Sequence, residues 1–338
     1  MIKILYIIPA NIDAFGELKY SSFIQNEINS IDQNISNIEV KKHFLVNRYN
    51  PLSIYKSIKN LKKEIKLFKP NIIHAEVGSI TSFIAAISKG KIPLVVTFGG
   101  SDVLGNIGEN SYWKFRSIIA KLMSKYSFNR ANEVICVSKN LKKALSKKEN
   151  NKISIIPRGI DTAFFQPTDF EKARQVSGWP IDDKVILFNH SNASAKVKNL
   201  PLAEESIKIL NKDLNYKARL EILRNLSKDE VLTRMNAANL LLVTSFHEGS
   251  PNVVKEAMAC NLPIISVDVG DVKERIGECN ISQITTFNPN QIAEALKEIL
   301  IKNKRSNGII IIGKDKLSNI DTSKKIFNVY NKCILKGV

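Results

Sequence analysis

Short apolar runs that alternate with helical patterns along the whole chain predict an α/β protein built on parallel sheets. Length and punctuation set its organisation. The chain has 338 residues, too many for one ordinary α/β domain and suited to two of about 150 each. The alternation is interrupted in IIPRGIDTAFFQP, where Pro157, Gly159 and Pro167 break the pattern. Two Rossmann-like domains are therefore expected, residues 1–165 and 166–321.

In the first half the apolar runs place strands at 3–8, 39–46, 72–75, 94–98, 133–137 and 153–156, with helices in the gaps. In the second half they place strands at 185–188, 219–223, 240–244 and 264–267. Near-continuous apolar runs are what strands buried on both faces require. From Ile54, the residues Ile58, Leu61, Ile65 and Phe68 continue a helical stripe, while Lys56, Lys59, Lys62, Lys63, Lys66 and Lys69 fill the other face. Such a helix packs its stripe on a sheet and shows lysines to water. It can also lie on anionic lipid, and a peripheral membrane contact through the helix Lys56–Lys69 is a second expectation.

A hydrophobic content of 44 % and a mean hydropathy of −0.10 describe a soluble globular protein. No apolar run reaches ~18 residues, so no transmembrane helix is expected. The start MIKILYIIPA reads as a first buried strand rather than a signal peptide, because Asn11, Asp13 and Glu17 follow without a small-residue cleavage site. Cys136, Cys260, Cys279 and Cys333 lack metal-ligand spacing and read as reduced core thiols of a cytoplasmic protein. The net charge of +18 comes mostly from lysine. Nucleic acid is disfavoured as a partner, since no aromatic-interleaved basic patch or binding motif accompanies that charge.

Residues 244–271, TSFHEGSPNVVKEAMACNLPIISVDVGD, carry the chemistry. Apolar runs on either side read as consecutive buried strands, so the stretch between them is a strand-to-helix crossover. Ser250 is the expected N-cap, Pro251 fits the first helical position, and Asn261 with Pro263 closes the helix. A helix that starts at the carboxyl edge of a parallel sheet offers N–H groups to phosphate. Glu248 precedes the helix and Glu256 lies roughly 8 Å further along it at ~1.5 Å per residue. One carboxylate at each end of a diphosphate suits a sugar nucleotide.

Glu248-Gly249-Ser250-Pro251 through Glu256 resembles the E-x7-E donor signature of the family-4 glycosyltransferases, retaining enzymes of the GT-B fold. The resemblance implies two Rossmann-like domains with parallel sheets facing an interdomain cleft, and a terminal helix, 322–338, that crosses back onto the first domain. It also implies Glu248 beside the donor sugar, Glu256 on the ribose, and the diphosphate along Gly249, Ser250, Pro251, Asn252 and Val253. His247 and His190 then line the pocket. Lys198, with Lys196 beside it, matches the segment that holds the diphosphate. The family's arginine is missing, Ser191 or Asn192 standing in its place, and Arg224 is the candidate substitute.

In the first half, VVTFGGSDVLG (residues 95–105) resembles the family's VTFHGSD element, with Gly99 where the family has a histidine. Gly99 and Gly100 either present N–H groups as an anion nest or permit a tight turn. Asp102 either caps the next segment or orients a substrate hydroxyl, and Asp13 is a loop residue near the expected acceptor site. His74 reads as packed. Asp182-Asp183 reads as a turn, not a metal motif, and neither a metal nor a cofactor is expected, the nucleotide sugar being a co-substrate. The implied reaction is retaining hexosyl transfer, from a UDP-sugar as a rule, to a hydroxyl of a cell-surface polysaccharide or lipid-linked acceptor. Two other readings stay open: a silent sugar-nucleotide-binding subunit, and a sugar-nucleotide epimerase of the same fold.

Overall fold

The computed structural model describes all residues except 47–49, 106–110, 191–194, 214–216 and 337–338. The chain divides into two units, Met1–Gly159 with Asn319–Val338, and Ile160–Ser318. The first contains β1 (Ile2–Pro9), β2 (Asn11–Ile12), β3 (Leu18–Lys19), α1 (Ser22–Asn34), β4 (Ile38–Leu45), α2 (Pro51–Phe68) and β5 (Ile72–Glu76). It continues through α3 (Ser79–Ser88), β6 (Leu94–Phe98), α4 (Ser101–Leu104), α5 (Ser111–Arg130), β7 (Glu133–Cys136), α6 (Lys139–Leu145) and β8 (Ile153–Ile155). The second contains α7 (Phe170–Ser177), β9 (Lys184–Asn189), α8 (Ala195–Lys198), α9 (Leu200–Asp213), β10 (Ala218–Leu223), α10 (Lys228–Ala237) and β11 (Leu240–Val243). It ends with α11 (Asn252–Ala259), β12 (Ile264–Val267), α12 (Val272–Ile276), β13 (Gln283–Thr285), α13 (Pro289–Lys302) and α14 (Gly308–Lys314), and α15 (Asn319–Lys336) rejoins the first unit.

The main sheet of each unit is wholly parallel with helices on both faces, and the first unit adds the antiparallel pair β2–β3. The orders are β4-β1-β5-β6-β7-β8 and β10-β9-β11-β12-β13, both with the strand-order reversal of doubly wound folds. Strand β1 shows why the sequence folds this way. It pairs with β4 on one side and β5 on the other, Ile4, Tyr6 and Ile8 enter one core layer, and Leu5 and Ile7 enter the other. In the second unit β9 does the same, sending Val185 and Leu187 to one face and Ile186 and Phe188 to the other. Each large apolar side chain so buried contributes about 1.5–3 kcal/mol.

Helix α2 starts at Asn50, whose side chain accepts from Ser53 N at 2.8 Å, and stops at Lys69, which turns left-handed at φ 50°. Its stripe of Ile54, Ile58, Leu61, Ile65 and Phe68 packs into the sheet core. This corrects the lipid reading of Lys56–Lys69: the apolar stripe that reading relied on is consumed by packing, and the outward side mixes the exposed lysines with Leu52, Tyr55 and Leu67 rather than presenting one apolar face.

The sequence boundary after residue 165 lies six residues late. Ile160 and Phe165 belong to the second unit's core, and Ile160 N donates to Leu317 O at 2.9 Å, which ties that short segment to α14's exit. Helix α15 starts at Asn319, three residues before the expected 322. The two-residue hairpin strands and the three-residue β13 are too short for a periodicity to announce.

A polar network is buried in the first unit beneath α15. Tyr330 Oη lies 2.5 Å from Tyr6 Oη and 2.7 Å from His74 Nδ1, and His74 Nε2 is 2.7 Å from Thr97 Oγ1. Burial lowers the imidazole to about 4, so His74 is packed and neutral. Arg158, just before the crossover, reaches Glu27 at 2.5 Å and Glu76 at 2.6 Å. Burial, reinforced by Glu76, pushes the Glu27 carboxyl up to about 8 against the pull of Arg158. Burial also works on Glu76, yet Arg158 and His74 hold it below its ordinary value. The four cysteines are buried and form no disulfide, and burial pushes the thiols of Cys136 and Cys260 up to about 12, which leaves them inert.

Candidate active site

The carboxyl edge of the second sheet gathers most of the residues singled out from the sequence. Past β11, Thr244 Oγ1 donates to the carbonyls of Lys198 and Asn199 at 2.9 and 3.0 Å, and Phe246 N donates to Val197 O at 2.9 Å. The short α8 is thereby pinned to the end of β11. Lys198 consequently points at the motif, with Nζ 2.5 Å from Glu248 Oε1, and Ser245 Oγ donates to the same oxygen at 2.8 Å. Both members of this pair are largely buried, where an ion pair is shielded from solvent.

One structural difference concerns the start of α11. Ser250 is not its N-cap and Pro251 is not its first residue: the helix begins at Asn252, Pro251 takes the capping position with extended ψ 123°, and no side chain caps the turn. The reason is a competing bond. Ser250 Oγ donates to Asp271 Oδ2 at 2.9 Å and accepts from Lys255 Nζ at 3.2 Å, while Arg275 Nε braces the same Asp271 oxygen at 2.8 Å. Diverting the serine leaves the first N–H groups of α11 without a side-chain acceptor. Unbonded N–H groups at a helix start favour an anion.

Close approach of two loops makes this possible. Gly270 has φ 61°, and a Cβ there would sit 3.0 Å from Gly249 O and 3.1 Å from Glu248 Cβ. Ser245, Lys255, Gly270, Asp271 and Arg275 thus frame the candidate site, and sequence reasoning missed them. Four of them lie in the stretch 244–271 and Arg275 just beyond it, and nearness in sequence does not reveal partners.

Glu256 lies on α11 partly buried. Burial pushes its carboxyl up to about 7, opposed by Lys255 and Lys228. Above that value the ionised carboxylate offers both oxygens to a pair of hydroxyl donors. Arg224 is exposed one residue beyond β10, beside the end of β9, and Lys196 is exposed on α8. His190 and His247 are half-buried at the same edge, His190 next to Phe188. Ser191 and Asn192, the expected site of the absent arginine, lie outside the described residues.

The first-unit candidates have different jobs. Asp102 is buried, and its carboxylate accepts from Gly78 N at 2.7 Å, Gly100 N at 2.7 Å and Gly99 N at 3.1 Å. It staples the loops after β5 and β6, so it is a structural brace rather than a group open to substrate. By the same bonds, the N–H groups of Gly99 and Gly100 face Asp102 and form no vacant anion nest. Asp13 closes the β2–β3 hairpin instead of reaching a substrate, its Oδ1 accepting from Phe15 N and Glu17 N, both at 2.9 Å.

Gly99 itself is roomy. A Cβ there meets nothing within 4 Å, whereas Gly100 has φ 153°, a backbone that side chains rarely adopt. Gly99→His should therefore fold with a melting temperature within about 2 °C of the parent, and Gly100→His should melt well below it; thermal unfolding by circular dichroism reads both.

Comparison with known proteins identifies the family. Residues 21–164 match the model of Glycosyltransferase Family 4, and residues 203–316 match that of Glycosyl transferases group 1. The chain belongs to the family-4 glycosyltransferases. An uncharacterized glycosyltransferase of Methanocaldococcus jannaschii is 26 % identical over 304 residues, 85 % of this chain and 80 % of that one. A Bacillus subtilis glycosyltransferase named for teichuronic acid biosynthesis is 28 % identical over 243 residues, 67 % of this chain and 60 % of that one. Among solved structures, Anabaena HepE in complex with UDP and glucose superposes with a TM-score of 0.70 at 15 % identity, covering 98 % of this chain and 100 % of that one. The glycosyltransferase thus has the GT-B fold, and the second family match encloses both Glu248 and Glu256.

Proposed function

We propose that this glycosyltransferase moves a hexosyl group from a UDP-sugar, with retention of configuration, to a hydroxyl of a cell-surface polysaccharide or glycolipid acceptor. The observation that carries the reading is the start of α11, uncapped because Asp271 holds Ser250 aside, with Lys198 and two carboxylates around it. In this reading the diphosphate lies on the turn from Gly249 to Val253, Glu256 accepts from the ribose hydroxyls, and Glu248 faces the sugar. Lys198 exchanges Glu248 for phosphate and stabilises the charge that grows on the leaving UDP. The leaving phosphate takes the acceptor proton on the same face, which gives retention without a covalent intermediate. The UDP bound by HepE and the teichuronic acid role in the name of the B. subtilis relative favour this donor and this class of acceptor.

Glu256 supplies the test. Its carboxyl titrates near 7, so the ionised form that accepts hydroxyl bonds is populated as pH rises through that value. UDP affinity measured by titration calorimetry should rise from pH 6 to pH 8, and Glu256→Gln should bind weakly with a flat profile. Stability of the ligand-free protein runs the other way. A folded-state pKa above the ordinary 4.5 contributes stability that is full below 4.5 and lost as pH rises through about 7. Parent and variant with the same rising affinity profile would remove Glu256 from the donor site.

A silent binding subunit is favoured by one observation, the absence of a side chain at Gly99. Release of UDP from UDP-sugar in the presence of polysaccharide or glycolipid acceptors distinguishes it from a transferase, as does the anomeric configuration of any product.

A further inference from the structure

Helix α5 turns large apolar residues to solvent, although Phe128 at its end packs on the sheet core. Its buried side is lined by Ser124 and Ser127, with Ser124 Oγ donating to Asp102 O and accepting from Ser79 N, both at 2.7 Å. A Cβ on Gly78 would meet Ser124 Oγ at 2.9 Å, so only small residues permit the close approach to α3. The opposite side carries four exposed apolar residues. Phe115 is 62 % exposed, Ile118 56 %, Leu122 62 % and Tyr126 42 %. Spaced three, four and four residues apart, they form one continuous stripe along the helix. Tyr126 packs edge-on against Phe83 of α3 at 5.3 Å, which widens the apolar strip at one end.

Charge identifies the partner. Ser111–Arg130 contains Lys114, Arg116, Lys121, Lys125 and Arg130 and no acidic residue. Lys121 and Lys125 are exposed on one flank of the stripe. A second copy docked on this face would bring two such helices, all basic, against each other. An anionic bilayer surface matches both features, since it takes apolar side chains at the headgroup–acyl boundary and cations at the phosphates. A helix of 20 residues, about 30 Å long, lies flat in that layer. No helix of the described residues is long and apolar enough to cross a membrane.

We propose that α5 docks this glycosyltransferase on anionic lipid, with Phe115, Ile118, Leu122 and Tyr126 in the interfacial layer and Lys121 and Lys125 over headgroup phosphates. The contact lies on a helix other than α2, whose stripe is core, and it stands whatever sugar is transferred. Co-sedimentation with vesicles of phosphatidylcholine alone and of phosphatidylcholine with phosphatidylglycerol tests it, at low and high salt. The full chain should bind the anionic vesicles, and more weakly at high salt. Ile118→Glu/Leu122→Glu should lower the partition coefficient by about tenfold or more, with melting temperature and UDP affinity unchanged because both positions are exposed. Lys121→Glu/Lys125→Glu should abolish the salt dependence and the preference for phosphatidylglycerol. Equal binding by the parent and the Ile118/Leu122 variant, or no binding by the parent, overturns the proposal. So does sedimentation equilibrium showing a dimer that this variant dissolves, which would make the face a self-interface. Unchanged UDP affinity in a variant that has lost vesicle binding separates this outcome from any failure of the donor-site reading.

Discussion

Arg158→Met should destabilise the N-terminal unit by about 3–5 kcal/mol, the cost of removing one partner from a buried ionic cluster. The guanidinium sits between Glu27 and Glu76, both buried, and it is the cation that each of them touches. Glu27 already has one oxygen, Oε1, without a hydrogen-bond partner, and so does Glu76. Without Arg158 the two carboxyls face each other in a low-dielectric interior and both are driven toward the neutral form. The effect has a pH signature with a definite sign. In the parent, Glu76 is held below its ordinary value, so its contribution is present above 4.5 and is lost as pH falls through its depressed pKa. In the variant both groups are raised, so any stability they give is present at low pH and lost as pH rises. The deficit of the variant should therefore grow from pH 5 to pH 8. Amide hydrogen exchange in β5 and α15 measures it within one unit, which avoids treating a two-unit chain as a single transition. Arg158→Met combined with Glu27→Leu and Glu76→Leu should recover most of the loss, because the uncompensated charge, not the volume, is what costs. A single-variant deficit below about 1 kcal/mol, flat with pH, would show that the cluster is solvated in solution.

What the sequence made legible is what local pattern carries. Strands such as β1 and β9 announce themselves because both faces are buried and their central positions, residues 4–8 and 185–188, form unbroken hydrophobic runs. Glu248 and Glu256 are legible because their spacing and helix-start context lie within one short segment. What the sequence hid depends on contacts between distant segments. Ser250 has the composition of an N-cap, and only its bond to Asp271, 21 residues on, turns it away from the helix. Asp102 has the look of a polar loop candidate, but three backbone N–H groups converge on its carboxylate, one of them from Gly78 on another strand's loop. Arg158 is one basic residue among 50 lysines and arginines, and its burial follows from where the crossover leaves the sheet. Helix α5 shows a further limit: periodicity reveals that an apolar stripe exists, but not which side of the helix the core is on.

Lys198→Ala should lower kcat by about 10²–10³, the range for removing one charge-stabilising donor from a transfer site, with a smaller change in donor affinity. The prediction follows from the position of the lysine in the ligand-free protein. Its ammonium is paired with Glu248, which also accepts from Ser245, so donor binding requires Lys198 to exchange a carboxylate for a phosphate. Part of the phosphate interaction is offset by the broken pair, and the net gain appears as negative charge accumulates on the departing UDP. Glu248→Gln removes the competing charge. It should therefore tighten UDP binding while lowering kcat, an opposite movement of the two parameters that loss of a simple donor-binding residue does not produce. Lys198→Arg should keep part of the rate, since it preserves the cation while changing its geometry. The double variant should fall short of the sum of the two single effects, because each alone disrupts the same pair. If Lys198→Ala instead leaves kcat intact and lowers only the melting temperature, the Lys198–Glu248 pair is a brace between α8 and the loop after β11, and the cation at the leaving group must be sought elsewhere on the sheet edge, with Arg224 the first residue to replace.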